Sequence, residues 1–341
     1  MSEDRKILVS ALTAGRDIAS SRFRIRQYIT HLLKQGIEVR EHIPVFGESC
    51  GLPSPFKTAS RVPALFTTRK ADLIWMSREL VQGYESFERL LKRPRVMDVD
   101  DAIWRRRPLG RWTMPHIARG MDGVVVGNAY LAEWFSRYCK EVHIIPTGID
   151  LKRYKMRAWP EAEPERFVIG WTGQTCNFPY LNLIETALGR FLADHERAEI
   201  LIMAQKPWKS KLLPREKVKF LAWNRQIETS ALKQMSVGIM PLADDEWTKG
   251  KCSFKMLQYM AVGVPVVVSP VGMNREVLQK GTVGLGAETD EQWYEGLESL
   301  YRDWSLQKKM GMSGREVVEQ YYNAADIAQE LAEIFKSLVR G

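Results

Sequence analysis

The sequence predicts an α/β protein built from two doubly wound domains. Three observations predict this class. The chain has 341 residues, which is long for one hydrophobic core. Short apolar runs alternate with helical segments of about 10 to 15 residues, a pattern typical of βαβ units and a parallel sheet. One polar, proline-bearing segment interrupts this alternation near the middle of the chain.

The first half alternates strands and helices without interruption. Its predicted strands are 6–12, 37–44, 71–77, 95–101, 122–128 and 141–149, and its predicted helices are 24–36, 84–92 and 129–139. These elements assign residues 1–150 to an amino-terminal Rossmann-like domain. Residues 151–166, LKRYKMRAWPEAEPER, have no apolar period and predict a linker.

The alternation then starts again and predicts a second domain over 167–320. Its predicted strands are 166–173, 198–204, 218–223, 237–243, 265–270 and 282–287, and its predicted helices include 180–195, 228–235, one beginning near residue 251, and 274–280. The chain ends in helical segments, and we expect the helix 321–341 to pack back on the first domain. In open α/β sheets a ligand binds beyond the carboxyl ends of the strands, so we expect a ligand between two facing domains.

Composition and residue spacing argue against a membrane span, a secretory signal and a cysteine metal site. Hydrophobic residues make up 45% and charged residues 27%, as in ordinary globular proteins, and no run approaches the roughly 20 apolar residues of a membrane span. The first residues do not resemble a secretory signal, so we expect a cytoplasmic location. Cys50, Cys139, Cys176 and Cys252 lack metal-site spacing and predict ordinary thiols, and the isolated His116 and His143 predict structural roles.

The net charge of +9 predicts an acidic partner: a nucleic acid, an anionic membrane or a phosphorylated substrate. Two segments concentrate the basic residues, WRRRPLGRW (104–112) and KPWKSKLLPREKVKF (206–220). Both combine charge with Trp or Leu, which favours lipid headgroups over a purely solvated surface. Nucleic acid is not expected, because the aromatic residues do not interleave with the charges as base stacking requires.

The segment GKCSFKMLQYMAVGVPVVVSP (250–270) predicts a phosphate site. On a helix Lys251, Lys255 and Gln258 fall on one stripe, away from an apolar stripe. The helix would begin after a strand, so its free N–H groups, its dipole and two lysines would meet at a strand end. An amphipathic helix with solvated lysines is the structural alternative.

Other strand ends carry further candidates for donor binding. Gly173 and Gln174 follow the strand 166–173, where glycine allows close approach of backbone to a phosphate or sugar, or simply makes a turn. Trp223 follows the strand 218–223 and could border a nucleotide base or belong to the core.

Acidic and basic candidates lie in the first domain. Asp98, Asp100 and Asp101 end the strand 95–101. We expect Asp98 to contact an acceptor and Asp100 or Asp101 to bind the acceptor or assist as a base, with helix capping as the alternative. Asp-x-Asp also occurs in manganese sites and in the nucleophile loop of haloacid dehalogenases, but in other contexts. After the first strand, Ser21, Arg22 and Arg24 could bind a phosphate of donor or acceptor, with Ser20 and Ser21 as helix caps.

Several motifs together resemble glycosyltransferase family 4. They are VVGNAYLAEWF, HIIPTGIDLKRY, VGIMPL and GKCSFKMLQYMAVGVPVVVSPVGMNREVL, in the family's order and over most of the chain. The resemblance implies the GT-B fold, retaining transfer of a sugar from a nucleotide diphosphate sugar without a required metal or cofactor, and a place for Lys251 and Lys255 near the donor diphosphate.

The chain departs from the family's Glu-x7-Glu pattern at both positions. Gly250 and Gln258 stand where the resemblance expects acids. Gln258 can still bond a hydroxyl through its amide, whereas Gly250 cannot replace a carboxylate. Asp244, Asp245 or Glu246 just upstream could supply that carboxylate.

The sequence therefore predicts a retaining glycosyltransferase, with a carbohydrate or lipid-linked acceptor and an anionic membrane surface as further partners. Two alternatives remain open: a nucleotide-sugar epimerase or hydrolase on the same scaffold, and a degenerate protein that binds nucleotide without turnover.

Overall fold

The computed structural model describes residues 5–16, 18–46 and 53–341. Within these ranges the chain forms twelve strands: β1 Ile7–Leu12, β2 Ile37–His42, β3 Leu73–Ser77, β4 Arg95–Val99, β5 Gly123–Val126, β6 Val142–Ile144, β7 Phe167–Thr172, β8 Ala198–Ala204, β9 Val218–Ala222, β10 Val237–Met240, β11 Val266–Val268 and β12 Gly284–Gly286. Every one of these strands lies within a predicted segment, because each is a short apolar run between turn residues.

The helices of the same ranges are α1 Ile29–Lys34, α2 Ser54–Arg61, α3 Pro63–Thr67, α4 Gly110–Arg119, α5 Ala129–Phe135, α6 Phe178–Asn182, α7 Glu185–Asp194, α8 Glu228–Leu232, α9 Glu246–Lys249, α10 Phe254–Ala261, α11 Met273–Leu278, α12 Asp290–Arg302, α13 Trp304–Tyr321 and α14 Ala324–Arg340. A π-helical turn spans Ser21–Ile25, and 3₁₀ turns span Arg26–Tyr28, Glu88–Leu90, Ile103–Arg105, Thr175–Asn177 and Arg215–Lys217. No helix of the described residues has both the length and the apolar character needed to cross a membrane.

The chain forms two compact units. Unit 1 contains Met1–Gly148, Lys249–Cys252 and Ala324–Gly341, and unit 2 contains Ile149–Thr248 and Ser253–Asn323. The short segment Lys249–Cys252 therefore packs with unit 1, although the residues on both sides of it belong to unit 2.

The sheet of unit 1 has six parallel strands in the order β2-β1-β3-β4-β5-β6. Val9 on the central strand β1 lies opposite Val39 on one side and Leu73 on the other. Helix α14 covers this sheet, and the rings of Trp75 and Phe335 meet edge to face with centroids 5.0 Å apart. The two parallel neighbours of β1 put the topological switch point of this sheet between β1 and β3.

The sheet of unit 2 also has six strands, in the order β12-β11-β10-β7-β8-β9. Counted from β7, this is the Rossmann order 3-2-1-4-5-6, with the switch point between β7 and β10. Its core contains Trp171, Phe191, Trp293 and Leu297, which are at most 2% exposed. Two doubly wound parallel sheets confirm the predicted fold class.

Four helix predictions need correction. Residues 24–36 form the end of a π-helical turn, a 3₁₀ turn and then α1, which begins only at Ile29. Residues 84–92 form only the 3₁₀ turn Glu88–Leu90, because the buried Glu88 carboxylate accepts bonds from the backbone N–H groups of Leu80 and Ser86 and so holds a loop. The predicted helix 180–195 breaks between α6 and α7. The helix expected to begin near residue 251 begins at Phe254, because Ser253 has left-handed backbone angles (φ 49°) that a helix cannot include.

A close approach between β10 and α10 gives a stability prediction. A Cβ atom on Gly238 would lie 2.3 Å from Cγ of Tyr259, so Gly238→Ala must displace a fully buried ring. We expect it to lower the free energy of unfolding by about 1 to 3 kcal/mol in urea denaturation. The matched control is Gly189→Ala in α7, where the nearest atom to the new Cβ lies at 3.4 Å. That control should be neutral or stabilising, and equal losses in both variants would contradict the packing argument.

Candidate active site

The switch point of unit 2 is covered by the start of helix α10. Tyr259 on this helix accepts a hydrogen bond from the backbone N–H of Thr172, at the end of β7, over 2.9 Å. Its hydroxyl also lies 3.4 Å from the carbonyl oxygen of Ile239 on β10. One side chain thus fixes α10 against the two central strands at the edge where a ligand is expected.

Lys255 lies in the first turn of α10 and reaches the loop after β7. A Cβ atom on Gly173 would lie 2.7 Å from Cε of Lys255 and 2.8 Å from the ring of Trp171, so a side chain at 173 would displace the lysine or the buried ring. The Lys255 ammonium lies 5.6 Å from the centroid of the Trp171 ring, within the range of a cation–π contact. The structure therefore brings together two predicted donor-site residues, Gly173 and Lys255.

The start of α10 is locked by a buried polar cluster. The Ser253 hydroxyl donates to Oδ1 of Asn274 (2.6 Å), and the Asn274 amide donates to the carbonyl of Ser269 (3.0 Å). The Ser269 hydroxyl in turn accepts from the N–H of Leu242 in the loop after β10 (3.0 Å). Ser253 does not cap the helix with its side chain, so its hydroxyl stays in this cluster and does not occupy the amino end of α10.

Lys251 does not lie on α10, which corrects the predicted three-residue stripe. It belongs to the segment Lys249–Cys252 of unit 1, where the side-chain amide of Asn128 donates to the carbonyls of Lys249 (3.2 Å) and Lys251 (3.1 Å). The predicted role of Lys251 at the diphosphate remains a prediction, but helical spacing does not support it.

Position 250 is buried, and steric contacts there exclude a side chain. A Cβ atom at this position would lie 2.5 Å from the backbone nitrogen of Ala102. Cys252, in the same segment, is packed just as tightly, because a Cβ atom on Gly127 would lie only 2.0 Å from its Sγ. The packing of this segment leaves no room for the glutamate that the family pattern has at position 250.

Gln258 and Trp223 join one buried hydrogen-bond chain. The amide nitrogen of Gln258 donates to the hydroxyl of Tyr154 (2.8 Å), which donates to the Glu228 carboxylate (2.7 Å). Nε1 of Trp223 donates to the other oxygen of this carboxylate (2.9 Å). The Arg153 guanidinium donates to the oxygen that Tyr154 also bonds (2.5 Å). Two residues predicted independently for donor binding are thus connected inside unit 2.

The remaining donor candidates lie on exposed loops. Gln174 is exposed after β7, and its side-chain oxygen lies 3.7 Å from Sγ of Cys176. Asp245 caps helix α9, because its carboxylate accepts from the N–H of Thr248 (2.8 Å), whose hydroxyl lies 3.2 Å from the Asp245 nitrogen. Asp244 and Glu246 are exposed beside it. Donor contacts by these residues stay predictions.

In unit 1, Asp100 and Asp101 share one arginine. Arg78, which has a left-handed backbone (φ 63°), bonds Asp100 through Nε (2.7 Å) and Asp101 through Nη2 (2.9 Å). Burial by itself would raise the pKa of Asp100, but the charges of Arg78, Arg24 and Arg106 outweigh burial and hold the pKa below its usual range. Asp100 therefore remains an ionised hydrogen-bond acceptor and a weak base.

Asp98 and Arg24 form a buried ion pair. Nε of Arg24 lies 2.7 Å from Oδ1 of Asp98, and each side chain is 1% exposed. Arg24 also donates to the carbonyl of Ile145 (2.7 Å). The geometry joins the amino-terminal π-helical turn to β4, so these two predicted acceptor residues bind each other.

Ser21 and Arg22 also have local partners. The Ser21 hydroxyl is buried and accepts from the N–H of Ala14 (3.1 Å), while the Arg22 guanidinium lies over the Phe23 ring at 4.7 Å. Ser20 makes no side-chain cap, so the predicted cap is wrong at that residue. An acceptor contact by Ser21 or Arg22 stays a prediction.

Histidines and cysteines have ordinary environments. His116 contacts Glu85 and Arg89 on the surface, and His143 lies 3.6 Å from Glu141. Three cysteines, Cys139, Cys176 and Cys252, are free thiols, and Cys50 lies outside the described residues. Within the described ranges no three or more His, Cys, Asp or Glu side chains are grouped so that they could hold a metal ion.

Sequence reasoning missed the residues that hold the site in place. Tyr154 lies in the segment predicted as a linker, and Glu228 begins a helix that gave no functional signal. Ser253 and Tyr259 lie within the segment 250–270, but neither residue type indicates a role in a site there. Of these residues, Asn274 has a sequence signal, because it begins NREVL (274–278), the end of the segment that resembles the glycosyltransferase family.

The fold has a counterpart among known proteins. Two Rossmann-like units, each with a six-stranded parallel sheet, are the architecture of the GT-B glycosyltransferases. Residues 166–303, less than half of the chain, match the family described as Glycosyl transferases group 1. The resemblance to the group 1 type of enzyme and the GT-B fold are thus confirmed, and the predicted enzyme class, a glycosyltransferase, is supported.

Solved structures with the same fold cover nearly the whole chain. Sucrose-phosphate synthase from Thermosynechococcus elongatus has a TM-score of 0.73 at 15% identity, over 98% of this chain and 99% of that one. HepE from Anabaena in complex with UDP-glucose gives 0.73 at 14%, over 97% and 100%. WaaG, a glycosyltransferase involved in lipopolysaccharide biosynthesis, gives 0.69 at 13%, over 96% and 99%. No curated protein matches the sequence significantly.

The buried pair in unit 1 gives a second stability prediction. Arg24→Met leaves the Asp98 carboxylate buried without its partner, and we expect a loss of about 3 to 5 kcal/mol in the free energy of unfolding. The double variant Arg24→Met, Asp98→Asn should lose less than Arg24→Met alone, because no uncompensated charge remains buried. Urea denaturation of both variants and of Asp98→Asn measures the coupling, and simple additivity would contradict it.

Proposed function

We propose that this chain is a retaining glycosyltransferase that moves a sugar from a nucleotide diphosphate sugar to an acceptor hydroxyl. The observation that carries the proposal is the position of Lys255 beside Gly173, in the first turn of a helix that covers the β7/β10 switch point. A lysine and a helix amino terminus are both suited to a diphosphate. The similar HepE structures contain UDP and UDP-glucose, which supports a nucleotide-sugar donor.

The proposed reaction needs stabilisation of a departing anion. The bond between the sugar C1 and the leaving phosphate oxygen breaks, and its electron pair stays on the diphosphate. The acceptor oxygen bonds to C1 on the same face, and its proton passes to a phosphate oxygen. Lys255 and the oriented N–H groups of α10 stabilise the negative charge that develops on the diphosphate, so we propose no metal requirement and no cofactor.

Asp100 and Asp101 are proposed to act on the acceptor side. Both carboxylates accept a hydrogen bond from Arg78, which fixes their position. Because the pKa of Asp100 is held low, a phosphate oxygen is the better final site for the acceptor proton. The two carboxylates would then orient an acceptor hydroxyl rather than take its proton.

Turnover of a Lys255→Ala variant tests the proposal. We expect kcat to fall by about 10²-fold, because one preorganised donor to the leaving diphosphate is lost. Lys308→Ala removes an exposed lysine from α13 of the same unit and should leave kcat unchanged. Unchanged turnover in Lys255→Ala would exclude the role.

The substrate panel is UDP, GDP and TDP sugars, each with and without acceptors. Donor consumption without acceptor would point to an epimerase or hydrolase, and binding without turnover to a degenerate protein.

The acceptor is proposed to lie at an anionic membrane surface, on the cytoplasmic face. Support comes from the start of α4 in unit 1, where Trp112 is 76% and Leu109 42% exposed. All eleven tryptophans lie in the described ranges, and Trp112 is the one that exposes more than a third of its surface. The exposed Arg105, Arg107 and Arg111 lie beside it in sequence, and no acid occurs between Ile103 and Gly120. Tryptophan prefers the lipid interface and arginine the anionic headgroups.

The second basic segment is a weaker candidate for that surface. Trp208 is buried in unit 2, and its Nε1 donates to Asn182 (2.9 Å), so it cannot serve as an exposed anchor. Trp104 of the first segment is likewise buried, stacked on Trp134 at 4.3 Å. The exposed aromatic residue of the first segment is therefore Trp112, whereas the second segment exposes only the smaller ring of Phe220 (40%).

Flotation with vesicles tests the membrane proposal. The wild-type chain should float with vesicles that contain anionic lipid and not with neutral vesicles. The variant Arg111→Glu, Trp112→Ala should lose about tenfold or more of this partition, since each basic residue near the surface contributes about 1 kcal/mol and the tryptophan adds apolar area. Lys309→Glu on α13 makes the same charge change elsewhere and serves as the control. No flotation of the wild-type chain would remove the membrane proposal.

A further inference from the structure

The hydrogen-bond chain around Gln258 has a fixed direction. A carboxylate can only accept hydrogen bonds, and Glu228, 3% exposed, accepts from Trp223, Tyr154 and Arg153. The Tyr154 hydroxyl has one proton. Burial first and the Glu228 charge second raise the pKa of Tyr154 well above its usual range, so this proton stays on the hydroxyl and is donated to Glu228.

The direction of this chain orients the Gln258 amide. Since the Tyr154 proton is already used, the Tyr154 oxygen can only accept from Gln258, and the group 2.8 Å away must be the amide NH₂. The amide oxygen Oε1 therefore faces away from Tyr154. Gln258 is only 4% exposed, and within the described ranges its Oε1 has no protein hydrogen-bond partner. An acceptor that is almost buried and unpartnered is suited to a ligand donor.

Position indicates which donor this is. Along α10, Lys255 lies one turn before Gln258, and the hydrogen-bond chain leads from Gln258 to Trp223 at the end of β9. Lys255 is proposed for the diphosphate, and Trp223, which is only partly buried, is proposed here for the border of the base rather than for the core. In a nucleotide the ribose lies between those two groups, so the group facing Gln258 is a ribose hydroxyl.

We propose that Tyr154 and Glu228 are positioning residues that lock the Gln258 amide with Oε1 toward a ribose hydroxyl of the donor. This inference rests on the proposed function, since it needs a nucleotide in unit 2. A carboxylate presents an acceptor oxygen in either orientation, whereas a glutamine amide does so in only one. The lock holds Gln258 in that one orientation. Without it, the amide could turn its NH₂ group toward the ligand and lose the preference for a hydroxyl.

Binding of ribose analogues tests the lock. Calorimetric titration of the full chain compares UDP with its 2′-deoxy and 3′-deoxy analogues. We expect the wild-type chain to bind UDP about three- to tenfold more tightly than one of the two analogues, as one neutral hydrogen bond allows. Tyr154→Phe should reduce this ratio to about one, because the amide is released. Tyr322→Phe is the matched control: it removes the hydroxyl of another buried tyrosine in unit 2 and should keep the wild-type ratio.

A rescue separates positioning from a loss of folding. In the Tyr154→Phe background, Gln258→Glu supplies a carboxylate that accepts with either oxygen, so the discrimination between UDP and the deoxy analogue should return. A merely structural tyrosine would not be rescued in this way. The same ratio in wild-type and Tyr154→Phe proteins, with UDP bound by both, would overturn the positioning role and leave the proposed function intact. Failure of the wild-type chain to bind UDP, GDP or TDP would overturn both.

Discussion

The contact of Tyr259 with the central strands of unit 2 is the constraint on which the site depends. Its ring occupies the space that Gly238 leaves open, and its hydroxyl accepts the backbone N–H of Thr172. A helix held at this point has its first turn beyond the ends of β7 and β10. The position of Lys255, one turn earlier on the same helix, follows from this contact, as does its close approach to Gly173.

Opposite charges are handled differently in the two units. At the strand ends of unit 1 these acids are paired with arginines: Asp98 with Arg24, and Asp100 and Asp101 with Arg78. At the switch point of unit 2 the charge is a lysine beside an aromatic ring and a helix terminus. Paired acids suit the orientation of neutral hydroxyl groups, whereas a cation and N–H donors suit an anion.

Both departures from the family's acidic pattern have a physical cause in the structure. At position 250 the backbone of Ala102 excludes any side chain, so a carboxylate could be kept only by moving the segment Lys249–Cys252. At position 258 the neighbouring carboxylate is supplied by Glu228 and reaches Gln258 through Tyr154. A second charged acid at 258 would face a tyrosine whose proton is already donated, so an amide is the compatible partner.

The sequence by itself determined the twelve strands, their division into two sheets and the helix that bears Lys255. These features depend on local periodicity and on glycine and proline at turns, which a single segment encodes. It did not determine where α10 begins, because that is decided by the left-handed Ser253 and its bond to Asn274, 21 positions further along the chain. Only the tertiary structure decided which acids meet which arginines and how Gln258 is oriented. Arg24 and Asp98 are 74 positions apart, and Tyr154 and Gln258 are 104 apart, so no local pattern relates them. A hydrogen bond needs a partner within about 3 Å, and at such separations only the folded chain brings one there.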